Sequence, residues 1–293
     1  MPYYDEFEES SHDTNRFSTK YDLIIPTGAK STYSEIMSRG PITVGEIVFN
    51  KENLIVFDKI KMLDIVNKID IPIPKTFTNV EQSVEFPLFY KEMFECGGGV
   101  RGILNSKEDI PQILNEKNLI FQEYIDSPIT YGVGFLAREG EIITSFIHKE
   151  LLSYPRTGGS GVVLMQYDEQ RLLEYTKKIL NHINYSGWGL AEFKYCSKRN
   201  NYVFMEVNAK FWASIEFAFL NNSMFLKKMF GIDYIESKKP GIIYMDRLAE
   251  YGLGDYLQTY LKYRDFYRVN TKKSLRTLFV YHTKKINKIL NIK

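Results

Sequence analysis

The sequence predicts an α+β fold. Strand-like runs follow one another through short polar turns, helical stretches interrupt them singly, and a hydrophobic content of 44% in 293 residues supplies a sizeable core. Hairpin connections make neighbouring strands antiparallel, which argues against a regular alternation of parallel strands and crossover helices.

Residues 1–20 are acidic and polar without periodicity and read as a disordered leader. Residues 21–26 (YDLIIP) have the pattern of a short buried strand closed by proline, and a helix is expected over 30–38, so 21–53 read as a fragment of an α/β domain. Ile60, Leu63, Ile65 and Val66 then fall at helical spacing, and Ile71-Pro72-Ile73-Pro74 turns the chain into an extended segment. Strands are expected at 86–92, 119–124, 132–137 and 141–148, the last two joined by a turn at Arg138, Glu139 and Gly140. A helix is expected over 168–184, strands over 188–196 and 202–207 about a polar turn at 197–201, and a further helix from near Trp212. Residues 54–240 form the main domain on this reading, and 241–293 a basic helical segment.

Two cysteines, Cys96 and Cys196, cannot build a disulfide scaffold, so a reducing, cytoplasmic compartment is expected. No run approaches a membrane span in length. The net charge of +2 conceals a polarity: residues 262–293 carry ten basic residues against one acid, a charge of +9, and the rest of the chain carries −7. Leu275, Leu278, Phe279, Ile286 and Ile289 fall near one side of a helix in that tail. Such a helix docks onto the acidic body or a partner subunit, or makes a weak contact with an anionic membrane surface. No nucleic-acid-binding module accompanies the charge, so no nucleic-acid partner is expected.

The most informative segment is GLAEFKYCSKRNNYVFMEVNAKFW. A hairpin centred on Arg199 pairs Glu192 with Glu206 and Leu190 with Asn208, and sends Ala191, Val207, Phe193, Met205, Tyr195 and Val203 to the other face. Two carboxylates directly across a strand pair repel, and a hard cation such as Mg²⁺ relieves the repulsion while taking oxygen ligands from Glu192, Glu206 and Asn208. A solvated face neutralised by Lys194 is the plainer use of the same pattern.

In PLFYKEMFECGGGVRG, an expected strand carrying Lys91 leads into Gly97, Gly98 and Gly99. Consecutive glycines let backbone N–H groups approach phosphate oxygens, and Lys91 adds a point charge. Glycines are also routine in turns, and neither of the two commonest nucleotide-binding glycine motifs matches. Cys96 beside the glycines has no evident histidine partner, and His148 reads as a strand-end histidine rather than a general base. The apolar strand in NLIFQEYID could offer backbone groups to an adenine and Glu123 or Asp126 to a ribose.

The order of these motifs, with Lys59 in VFDK, Lys91 before the glycines, QEYI and a strand pair ending in EVNAKFWAS, resembles the ATP-grasp superfamily. The resemblance covers about residues 21–222. It is closest in pattern to the carbamoyl phosphate synthetase large chain and the carboxylate–amine ligase branch. It implies two α+β subdomains clasping ATP between antiparallel sheets. Lys59 and Lys91 would bind the phosphates, Gly97, Gly98 and Gly99 form a flap, Gln122, Glu123, Tyr124 and Ile125 an adenine hinge, and Glu192, Glu206 and Asn208 hold Mg²⁺ or Mn²⁺. The segment SFIHKELLSYPRTGGSGVV resembles the family's central loop, with Lys149 and Arg156 as candidates for the substrate carboxylate or its acyl phosphate. Lys210 stands where the family usually has an arginine and loses the bidentate fork. Only 58 residues precede Lys59, where the family has a full α/β domain. A partner chain or second copy would then complete the N-terminal domain.

The implied activity is an ATP- and Mg²⁺-dependent ligase that joins a small carboxylate to an amine through an acyl phosphate, releasing ADP and phosphate. A non-catalytic Mg-ATP-binding protein, or one subunit of a split enzyme, is the alternative.

Overall fold

The computed structural model describes residues 25–80, 85–94, 100–112, 118–156 and 159–269. The acidic leader, residues 21–24, Cys96, the flap glycines Gly97, Gly98 and Gly99, Gly158 and the basic tail from residue 270 lie outside the described residues. Among the described residues, no helix is long and apolar enough to cross a membrane.

The chain opens with α1 (Ala29–Arg39), the hairpin β1 (Ile42–Val44) and β2 (Ile47–Phe49), a 3-10 turn over Lys51–Phe57, and α2 (Lys59–Lys68). Asp58 caps α2 by accepting a hydrogen bond from the Lys61 N–H, and Met62, Leu63 and Val66 bury one face at helical spacing. The β1–β2 hairpin was not legible in advance. Its turn presses Gly45, at a φ of 60°, against the backbone of α5 (Met224–Phe230): a Cβ there would stand 2.4 Å from the Met229 carbonyl oxygen. G45A should therefore cost about 2 to 4 kcal/mol of stability, read as a lower urea midpoint at unchanged slope.

A four-stranded antiparallel sheet follows in the order β3-β6-β4-β5, from β3 (Thr76–Phe77), β4 (Leu88–Glu92), β5 (Arg101–Leu104) and β6 (Leu119–Glu123). The larger sheet has the order β11-β10-β7-β8-β9-β12-β13. It comprises β7 (Thr130–Arg138), β8 (Glu141–Tyr154), β9 (Ser160–Gln166), β10 (Gly187–Cys196), β11 (Asn201–Asn208), β12 (Gly241–Tyr244) and β13 (Tyr267–Val269). Every pairing in it is antiparallel except β12 with β13.

One face of the larger sheet is covered by α3 (Gln170–His182), whose Leu172, Thr176, Ile179 and Leu180 are buried and whose Tyr175 ring lies 6.4 Å from that of Phe193. Part of the other face is covered by α4 (Ile215–Asn221), where Phe217 meets Phe146 edge-on at 4.9 Å. The rest of that face opens toward the smaller sheet. Two sheets separated by a cleft are therefore the frame of the molecule.

Residues 241–269, expected to be helical, supply two strands to the large sheet as well as α6 (Met245–Leu248) and α7 (Leu253–Lys262). The apolar run GIIY is fully buried because β9 pairs with it, an effect of tertiary pairing rather than of local pattern.

His148 is buried on β8 against Gly132, where a Cβ would stand 2.7 Å from the ring. Burial lowers its pKa to about 4, so the folded state keeps it neutral while the unfolded chain protonates it near 6.5. The unfolded state then binds more protons between those values, and stability falls as pH drops through that window, by about 3 kcal/mol from this residue. H148L should flatten that part of the stability profile, measured by urea denaturation between pH 7 and about 4.

Candidate active site

The β10–β11 hairpin pairs Glu192 with Glu206 and Leu190 with Asn208, as the alternation in the sequence requires. Beyond Glu192 the register shifts, so that Phe193 pairs with Phe204 and Lys194 with Val203. Met205 is the extra residue of a β-bulge. It does not pair with Phe193 on the buried face as expected. It lines the cleft beside Glu206 and packs on the Ile125, Cys196 and Val203 cluster. The bulge thus turns an apolar side chain toward the cleft next to a carboxylate.

Lys91 projects from β4 of the small sheet and its Nζ donates to Glu206 Oε2 at 3.0 Å, bridging the two sheets. Lys59 enters from the first turn of α2, whose start is fastened to the small sheet by the Lys59 N–H donating to the Met93 carbonyl at 3.2 Å. Lys59, Glu206, Asn208 and Lys210 line one small cleft. Asn208 donates its amide to Glu206 Oε1 at 3.3 Å.

The two carboxyls are held apart electrically. Burial raises the Glu192 pKa, and the neighbouring Glu206 charge raises it further. Burial also acts to raise Glu206, but Lys91 and Lys59 override it and the net shift is downward.

Glu192, Glu206 and Asn208 are all oxygen donors on one strand pair, and the strained like-charge pair is a site that a hard divalent cation relieves; the residues fit Mg²⁺. Among the described residues, no group of three His, Cys, Asp or Glu side chains gathers into a ready cage, so the remaining ligands would be Asn208, water and phosphate.

The main cavity, of about 340 Å³, lies between the sheets. Phe89, Ile103, Ile125 and Met205 form an apolar end, and Lys91, Glu192, Glu206 and Lys194 a charged wall. Such a combination of flat apolar space and converging charges suits a nucleotide. Glu123, Tyr124 and Ile125 line it as the hinge would. The Glu123 carboxylate, however, is held by Arg199 and by the Lys75 N–H, whereas Asp126, the other acid of this segment, lines the cavity. Gln122 is fully buried within the small sheet, donating to Thr76 Oγ1 at 3.1 Å, and does not line the cavity.

The segment expected to form a central loop is instead the β8–β9 hairpin, and this corrects the place of Lys149. Across the sheet, Glu192, Gly132 and His148 share one row, so side-chain alternation puts Lys149 on the opposite face with Tyr131 and Phe193. Lys149 Nζ lies 4.8 Å from the centroid of the Tyr167 ring and is not a site residue. Glu150 takes its place in the cavity wall, a residue missed in the sequence although strand parity with Glu192 would have found it. Lys194 was missed as a site residue in the same way. Arg156 does line the cavity, at its rim, where it meets Asp255 of α7 at 3.5 Å.

No protein-family model matches the chain, and no curated protein is similar to it in sequence. Solved structures are similar to it in fold. Biotin carboxylase from Campylobacter jejuni, in a β,γ-ATP complex, aligns with a TM-score of 0.52 at 16% identity over 67% of this chain and 49% of that one. Pyruvate carboxylase from Rhizobium etli aligns with a TM-score of 0.51 at 16% identity over 63% of this chain and 18% of that one. The chain thus spans about half of the one structure and less than a fifth of the other. With its two antiparallel sheets and the cleft between them, the chain has the ATP-grasp fold.

Proposed function

We propose that the chain is an ATP- and Mg²⁺-dependent ligase that joins a small carboxylate to an amine. The reading is carried by one observation: Glu192 and Glu206 face each other under Lys91, in a cleft whose other end is apolar. The nucleotide-bound state of the Campylobacter biotin carboxylase supports placing ATP in the corresponding cleft.

Phe89, Ile103, Ile125 and Met205 receive the adenine, and Asp126 the ribose. Lys91 releases Glu206 and turns to the phosphates, with Lys59 and Lys210 carrying the remaining compensation. Glu192, Glu206 and Asn208 hold the Mg²⁺, whose contribution when bound is to neutralise charge on the phosphate oxygens. A substrate carboxylate oxygen attacks the γ-phosphorus and ADP departs with the bonding pair. The amine nitrogen then attacks the acyl carbon, phosphate leaves, and the amine's proton passes to solvent. Arg156 at the rim is placed to meet the substrate carboxylate.

Lys210 in place of an arginine favours a second reading as a non-catalytic Mg-ATP-binding protein or one subunit of a split enzyme. An ADP-release screen with amino acids and small carboxylates separates the two. Release dependent on Mg²⁺ and on an added acid supports the ligase, whereas nucleotide binding with no release under any mixture supports the second reading.

A further inference from the structure

The cavity continues past the nucleotide end to the mouth of the β8–β9 hairpin, where Glu150, Ser153, Arg156 and Gly159 line it. Glu150 is only 9% exposed, and its Oε2 accepts a hydrogen bond from Ser153 Oγ at 3.1 Å. Gly161 on β9 keeps the space beside Oε1 clear, since a Cβ there would stand 2.9 Å from that oxygen.

Of the carboxylates in the wall, Glu206 is in contact with Lys91 and Glu123 with Arg199, while Asp126 and Glu192 make no ion pair among the described residues. Glu150 has none among the described residues. Lys194 and Arg247 act on it only through space, and both are engaged elsewhere. Lys194 Nζ donates to the Ser127 carbonyl at 2.7 Å. The Arg247 guanidinium donates to the Gly161 carbonyl at 2.7 Å and lies 4.5 Å from the centroid of the Tyr244 ring. Burial accordingly raises the Glu150 pKa.

A buried carboxylate that opens onto a cavity without an ionic partner is unfavourable until a ligand brings the charge. One carboxylate with one hydroxyl is too small a set for a divalent ion, and a neutral ligand would leave the charge unbalanced.

We propose that this end of the cavity binds the ammonium group of an amine substrate, with Glu150 as its counter-charge and Ser153 holding the carboxylate in place. The assignment rests on the ligase reading and names the residue that receives its amine.

The test is a charge series of similar size, n-butylammonium, butyramide and butyrate, titrated calorimetrically at pH 7 into the full chain with and without Mg-ADP. The wild-type protein should bind butylammonium and neither of the others. E150Q, which keeps the shape and an acceptor for Ser153, should bind it at least about tenfold more weakly. Equal binding of the amide, no binding of butylammonium by the wild type, or undiminished affinity in E150Q would overturn the proposal. The wild-type series decides it even should the variant fail to fold. Absence of Mg-ADP binding in the same wild-type titrations would instead overturn the ligase reading, with the ammonium series without nucleotide judged separately.

Discussion

Replacing Glu206 with glutamine should lower ADP formation by at least about a thousandfold while the chain still folds. Glu206 is the common partner of Lys91, Asn208 and Glu192 at the centre of the site. Lys91 donates to one of its oxygens at 3.0 Å and Asn208 to the other at 3.3 Å, and Glu192 lies directly across the strand pair. Glutamine keeps the shape and an acceptor for Lys91 but removes the charge that a divalent ion needs. Glutamine keeps the side chain's volume, and loss of the counter-charge to buried Lys91 should lower stability without unfolding the chain. The measurement is ADP release in the acid and amine mixture that the wild type turns over, with far-UV circular dichroism as the control. Wild-type turnover in E206Q would remove the metal assignment.

Lys91→Met should weaken ATP binding by about ten- to a hundredfold, the value of one charge-assisted contact to phosphate. Lys91 is 5% exposed and spans from the small sheet to the large one, so methionine fills nearly the same volume and the loss falls on charge. The same change deprives Glu206 of the first of the two cations that lower its pKa. Calorimetric titration of Mg-ATP reads the effect. Affinity within a factor of two of wild type would place the phosphates elsewhere in the cleft.

Much of this site was legible because strand alternation is rigid. Glu192 opposite Glu206, and Leu190 opposite Asn208, follow from a polar turn between two alternating runs, and the structure has both pairs. The bulge at Met205 was not legible, since Phe204 and Met205 are both apolar and either could face inward. Its position was settled by the Phe193–Phe204 contact, with rings 5.7 Å apart, and by the Ile125 cluster.

Lys149 was misplaced for a different reason. Gly158, Gly159 and Ser160 read as a turn, yet Ser160 begins β9, and β8 runs on to Tyr154. Once residues 146–150 are read as strand, parity alone sends Glu150 to the cleft and Lys149 away from it. The very short strands β1, β2, β12 and β13 carry too few residues for a periodic signal; β1 and β2 pair with each other, and pairing with neighbours distant in sequence makes β12 and β13 strands. The ordering of Lys59, Lys91, the hinge and the carboxylate hairpin was enough for the ATP-grasp fold because each motif lines one of two cavities that share Glu206.

The central claim is that Glu192 and Glu206 jointly hold a divalent ion against a nucleotide. Electron paramagnetic resonance of Mn²⁺, titrated into the wild-type chain with ADP present, tests it most directly. A single nucleotide-dependent Mn²⁺ should bind the wild type and be lost in E192Q/E206Q; equal Mn²⁺ binding by that double variant would contradict the account.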